Sequence, residues 1–169
     1  MKLPVMPALG PQLLPGIIAG VLCGALLFSS FQYALPAALS GVQERYSPPL
    51  LARMLYGGIT EEVLLRWGAM TALAWLAWRF VQHRHGVLTR GSAWFAIVTS
   101  ALMFGLGHLP VALYLVGHVD LGVVLFVVGL NTALGCVFGF LYWRWGLEAA
   151  MVAHAMTHLV NEIVTQLTS

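Results

Sequence analysis

Four short groups of polar residues stand inside otherwise apolar stretches of the chain. They are Glu61, Glu62 and Arg66; Phe104 with His108; Asn131; and His154 with His158. Carboxylates and imidazoles move protons near neutral pH, and together they activate water against a carbonyl. His154 and His158 are four residues apart, so on a helix they share the face from which two imidazoles bind one metal. With Glu61 and His108 they would make a first-row site, for zinc or another divalent metal, of one oxygen and three nitrogen donors, provided their helices meet. An open coordination position would then hold the attacking water. Adjacent helical residues point about 100° apart, so Glu61 and Glu62 are expected to take different tasks. Glu62 and Arg66 have the i,i+4 spacing of an ion pair, which leaves Glu61 to face a cavity. The competing reading is a structural ion-pair network formed by all three.

The remaining polar positions are read in the same way. Asn131 lies mid-span among Gly129, Gly135 and Gly139. It is either an interhelical hydrogen bond at a small-residue contact or a group that orients a catalytic residue or substrate backbone. Glu162 continues the His154/His158 face by one turn, as a supporting partner or a residue near the membrane surface. His83 and His85 fall in a polar loop and are expected to be solvated, and His118 beside Asp120 to lie at an interface.

These residues are conspicuous because charge is scarce. Charged side chains are 8% of the chain and hydrophobic ones 60%, with a mean hydropathy of +0.86, far above a soluble globular protein. A charge at a bilayer centre costs about 2.5–3.5 kcal/mol on insertion scales, and such residues usually face a bundle interior or a wet cavity. The net charge of +2 forms no basic stripe, so nucleic-acid binding is excluded. Cys23 and Cys136 lie in apolar spans without metal-type spacing and read as packing residues. No cleavable signal is evident, and the first apolar span is expected to remain a membrane helix.

The elements that must position the polar groups are helices. Residues 13–35 are uncharged and form a first span, followed by a loop rich in turn residues. A helix is expected over 50–81, with Gly57-Gly58 as a kink before the glutamates. Further spans are expected over 92–108, 119–143 and 147–167, with a half-helix at 109–117 beyond the break at Gly107 to Pro110. The expected fold is an all-α, polytopic transmembrane helical bundle of five or six spans, a single integral-membrane domain over 1–169. Arg79, Arg84, Arg90, Arg144 and Lys2 fall on one side, and Arg45 and Arg53 on the other. The N-terminus is then cytoplasmic and the C-terminus external, in a bacterial inner membrane. Trp143 and Trp145 fit an interfacial belt.

The order and spacing of these groups over residues 55–160 resemble the CPBP family, the CAAX-protease and bacteriocin-processing (Abi) intramembrane endopeptidases. Glu61, Glu62 and Arg66 match its Glu-Glu-x-x-x-Arg motif, and Phe104 with His108 its Phe-x-x-x-His motif. Asn131 fits the third motif more loosely, and His154 begins the fourth. The resemblance implies that Glu61 and His108 activate the water that attacks a peptide bond. His154 and the residue four positions on would assist the oxyanion or binding, with Glu62 and Arg66 positioning the site. The chain departs from the family at His158, where Asn is usual, which removes an amide donor and adds a metal ligand. The expected partners are membrane lipid and a membrane-associated or C-terminal-signal-bearing protein or peptide substrate.

Two other function classes remain open at this stage. One is a non-catalytic membrane metal-binding, immunity or scaffold protein, which would not need Glu61, His108 and His154 together. The other is a haem-binding electron carrier. His154 and His158 on one helix face cannot supply opposite axial ligands, although His108 with His154 could. The Glu61/Glu62/Arg66 cluster has no place in that picture.

Overall fold

The computed structural model describes residues 9–42, 46–118 and 120–168. Lys2 and Arg45, used above for orientation, lie outside the described residues. Among those described, the regular structure is helical. Helix α1 is Leu9–Tyr33, followed by a 3-10 turn at Ala37–Leu39. Helix α2 runs over residues 50–81. Then come α3, Arg90–Gly107, and α4, Leu109–Val116. Helices α5, Leu121–Trp145, and α6, Leu147–Thr168, complete the bundle.

Local chemistry sets several of these boundaries. Thr89 caps α3 by accepting a hydrogen bond from the Ser92 backbone N–H. Asp120 does the same for α5 through the Val123 N–H at 2.8 Å. Between α5 and α6 the chain turns at Gly146, whose φ of 104° suits glycine. This one-residue turn makes α5 and α6 neighbours.

The burial pattern is the inverse of a soluble protein's. Leu14, Leu22 and Leu125 are 63%, 66% and 63% exposed, while Glu62 and Arg66 are fully buried. Large apolar side chains face outward, and the interior is filled by small residues such as Ala96, Ala101, Ala149, Ala150 and Ala153. Without a hydrophobic drive between helices in lipid, close contact of small residues supplies the packing. On α1, Gly16, Gly20 and Gly24, at every fourth position, form a stripe laid against α6. A Cβ on Gly20 would fall 2.7 Å from the Ala153 carbonyl oxygen and 2.4 Å from Met156 Cβ. Helices α3 and α5 approach through Gly105, which faces the Val128 carbonyl, and Gly135, which faces Ala101.

Among the described residues, three helices are long and apolar enough to cross a membrane: Gly10–Tyr33, Arg90–Val116 (α3 and α4 together) and Leu121–Trp145. That is fewer than the five or six expected. Helices α2 and α6 fall short because they carry the polar residues. Helix α2 holds Arg53, Glu61, Glu62, Arg66 and Arg79, and α6 holds Glu148, His154, His158, Asn161 and Glu162. The half-helix past Gly107 is present as α4, hinged at His108.

Candidate active site

Glu61, Glu62 and Arg66 lie where α2 departs from α-helical winding. Its backbone takes wider, i to i+5 turns over Tyr56–Glu61 and again over Val63–Met70. This widening stands where the Gly57-Gly58 pair suggested a kink. Such turns occur mostly as single insertions, frequently at functional sites. A wider turn rotates successive residues by less than an α-helix does, so neighbouring side chains diverge less.

Both glutamates consequently reach one imidazole. His154 Nδ1 lies 2.9 Å from Glu62 Oε1, and its Nε2 is 3.8 Å from Glu61 Oε2. The expectation that the two carboxylates take separate tasks holds for which ring nitrogen each meets, but they converge on the same side chain. The expected ion pair is present: Arg66 Nε donates to Glu62 Oε2 at 3.0 Å. Glu62 is therefore the centre of a chain from Arg66 to Glu62 to His154, wholly inside the protein. Glu61, with 18% of its side chain exposed, borders the cavity.

His108 and His154 are held alike. His108 Nδ1 lies 2.8 Å from the Phe104 carbonyl oxygen, and a carbonyl can only accept, so Nδ1 carries the proton. In His154 the Nδ1 proton goes to the Glu62 carboxylate. In each ring Nδ1 is occupied and Nε2 is left for chemistry. Phe104 stands edge-on to both rings, at centroid distances of 4.7 Å to His108 and 5.7 Å to His154. Phe138 stacks on His154 at 4.6 Å, and His158 stacks on it at 5.2 Å. The Arg66 guanidinium lies 5.3 Å from the Phe104 ring centroid. Its two Nη atoms have no hydrogen-bond partner among the described residues, and the aromatic face takes up part of their charge.

These groups meet a cavity of about 570 Å³ bordered by Glu61, His108, Asn131, His154 and His158. Asn131 donates to the Val127 carbonyl in its own helix at 2.8 Å, rather than to a neighbouring helix, and still faces the cavity wall. Arg53, counted above as an external topological charge, is at the cavity wall and pairs with Glu162. That contact joins the start of α2 to the end of α6. His83, His85 and His118 are exposed and take no part.

The four expected metal donors border one cavity without gathering into a ligand set. Among the described residues, no group of three or more His, Cys, Asp and Glu side chains is placed to hold a metal ion. Nδ1 of His108 and of His154 is bonded, which leaves Nε2 of each ring free, and the His158 ring is tilted 27° from that of His154.

Two residues that sequence reasoning passed over shape the site. Phe138, seven positions from Asn131, is on the same face of α5, a spacing that was available as a signal. Gly57 had been read only as a kink. A Cβ there would stand 2.9 Å from Nε2 of both His154 and His158, so α2 can approach α6 at this level only with no side chain. Gly57→Ala is expected to push both rings aside and lower kcat/KM by about 10²-fold, the scale of an ångström-level misplacement. Gly68→Ala is the control, since its Cβ would meet only the Val63 carbonyl oxygen at 3.5 Å. Steady-state cleavage beside thermal unfolding of the two variants checks this.

A comparison against protein families gives a match. The family model for type II CAAX prenyl endopeptidases, Rce1-like, matches residues 43–160. The chain belongs to this family. No curated protein and no solved structure matches it. The match spans all four motif groups and every helix that borders the cavity except α1. Family membership supports a CAAX-protease-like enzyme, and with the apolar helices it supports an integral membrane protein.

Proposed function

We propose that this protein is an intramembrane endopeptidase. Its substrate would be a membrane-associated or C-terminal-signal-bearing protein or peptide, cut by water that Glu61 and His108 activate. The observation that carries this reading is the convergence of Glu61, His108 and His154 on one cavity of about 570 Å³, with Nδ1 of both imidazoles already bonded.

In this mechanism Glu61 takes one proton from a cavity water, while His108 Nε2 accepts a hydrogen bond from the same water and aligns it. The hydroxide so formed adds to the peptide carbonyl carbon. Glu61 then delivers its proton to the amide nitrogen as the C–N bond breaks, leaving a carboxyl end and an amine. Glu62, fixed by Arg66, holds His154 so that its Nε2 faces Glu61. Asn131 and His158 complete the wall against which the substrate backbone lies. No step is routed through a metal, because the described side chains do not assemble three donors.

The test is cleavage of fluorogenic peptides ending in Cys-aliphatic-aliphatic-X, with and without a prenyl group, by detergent-purified protein. Cleavage that survives chelation is expected. Failure to cut any such peptide, with no change in membrane-protein C-termini on expression, would remove the peptidase reading. About one equivalent of bound zinc, lost in His154→Ala/His158→Ala, would restore a metal to the mechanism.

We further read α2 and α6 as membrane crossings, which gives five spans with a cytoplasmic N-terminus. Arg53, Glu61, His154, His158, Asn161 and Glu162 border the cavity and Glu62 and Arg66 are buried beside it, where a bundle tolerates them. Under this topology Arg84→Cys is expected to react with a membrane-impermeant thiol reagent only from the cytoplasmic side, and His118→Cys only from the other. Labelling of both from one side would sink the assignment.

A further inference from the structure

A second cavity, of about 530 Å³, lies at the other end of α2 and α5. It begins one turn beyond the buried Glu62–Arg66 pair, at Met70 and Thr71. It shares no lining residue with the candidate active site. Four of the chain's six tryptophans, Trp75, Trp78, Trp143 and Trp145, line it, and the 86–88 segment of the loop closes one side.

Its hydroxyls and one of its indoles are bonded within the protein. Thr71 and Tyr142 share a hydrogen bond of 2.7 Å, and the Trp78 indole N–H donates to the Gly86 carbonyl at 3.0 Å. The interior therefore offers apolar and aromatic surface. Charge is found at the rim, where Arg144 is exposed. Arg79, Arg84 and Arg90 flank the loop that closes the cavity, so four of the chain's eight basic residues gather at this end. No acidic residue is among the described residues that line the cavity.

An apolar interior under a cationic rim fits an amphiphile with an anionic head. We propose that this cavity is a binding site for an anionic phospholipid, with an acyl chain between α2 and α5 and the phosphate against Arg144. Basic pockets between membrane helices bind anionic head groups in this way, and tryptophans concentrate at the depth where head and chain meet. A peptide is a poorer fit, because no acidic or amide side chain is among the lining residues and the wall's hydroxyls are bonded to each other. The site is independent of the peptidase reading and stands or falls apart from it.

The experiment is quenching of tryptophan fluorescence in the purified full chain by brominated phosphatidylglycerol and, separately, brominated phosphatidylcholine in mixed micelles. The half-saturating mole fraction of the anionic lipid is expected to be roughly fivefold lower, the scale of one basic side chain against an anionic head group. Arg144→Gln is expected to abolish that difference without altering quenching by phosphatidylcholine. Ala74→Phe, which fills the cavity from α2, is expected to weaken both. Equal half-saturation of the two lipids by the wild-type protein would overturn the proposal. So would a preference that persists unchanged in Arg144→Gln, which would place it on the basic loop alone. Free glycerol phosphate is expected not to compete; competition by it would make the site one for soluble phosphate.

Discussion

Glu61→Gln is expected to lower kcat/KM by about 10²- to 10⁴-fold, the range a positioned general base contributes, and to leave thermal unfolding unchanged. The side chain keeps its volume and loses only its charge. Glu61 borders the cavity, with 18% of its side chain exposed, and it stands 3.8 Å from His154 Nε2 without closing a hydrogen bond. Little of the fold therefore depends on it. The measurement is steady-state cleavage of the peptide identified for the wild-type protein, beside its unfolding temperature in the same detergent. Wild-type cleavage by Glu61→Gln would transfer the base to His108 and remove the central claim of the mechanism. Loss of both activity and fold would show that Glu61 is structural after all.

Arg66→Ala is expected to act in the opposite way, on the fold first. Arg66 and Glu62 are both fully buried. Removing the guanidinium leaves a carboxylate in the interior with the His154 imidazole as its remaining partner. Breaking a buried pair from one side typically costs about 3–5 kcal/mol. The variant also withdraws the cation from the Phe104 and Phe138 rings. A double variant, Glu62→Gln with Arg66→Met, separates the causes. It removes both charges and keeps the volume, so most of the lost stability is expected to return. Cleavage is not expected to return, because a neutral amide in place of the Glu62 carboxylate would no longer hold the His154 ring as a charged acceptor does. An Arg66→Ala protein with wild-type unfolding would show that the pair contributes nothing to the bundle.

These two variants bear on different halves of the same constellation. Glu61 meets the cavity, and Glu62 meets the interior. The wide turns of α2 let both address one imidazole, and Gly57 lets that imidazole and His158 come close to α2. The site is thus a property of the α2–α6 contact as much as of the residues that carry its chemistry. The α1 stripe of Gly16, Gly20 and Gly24 supports α6 from its other side.

Much of this was legible in the linear chain. Scarce charge in a hydrophobic sequence marks interior positions by cost alone, so Glu61, Glu62, Arg66, His108, Asn131 and His154 stood out before any fold was known. The i,i+4 spacing of Glu62 and Arg66 dictated their pairing, because it is a local property of one helix. Helix limits read from the apolar runs and the break at Gly107 to Pro110 fell within a few residues of those observed. What required the tertiary structure was every relation between helices. Whether four metal-type donors share a point depends on ring orientation, and the bonds of His108 to Phe104 and of His154 to Glu62 set those orientations. That Arg53 pairs with Glu162, 109 residues away, has no local signature. That Gly57 is also a contact depends on where α6 lies. The number of spans was blurred for a related reason: the helices that carry the site lose apolar character by carrying it. Cost per residue and spacing within a helix are written in the sequence, whereas the approach of one helix to another is decided only by packing.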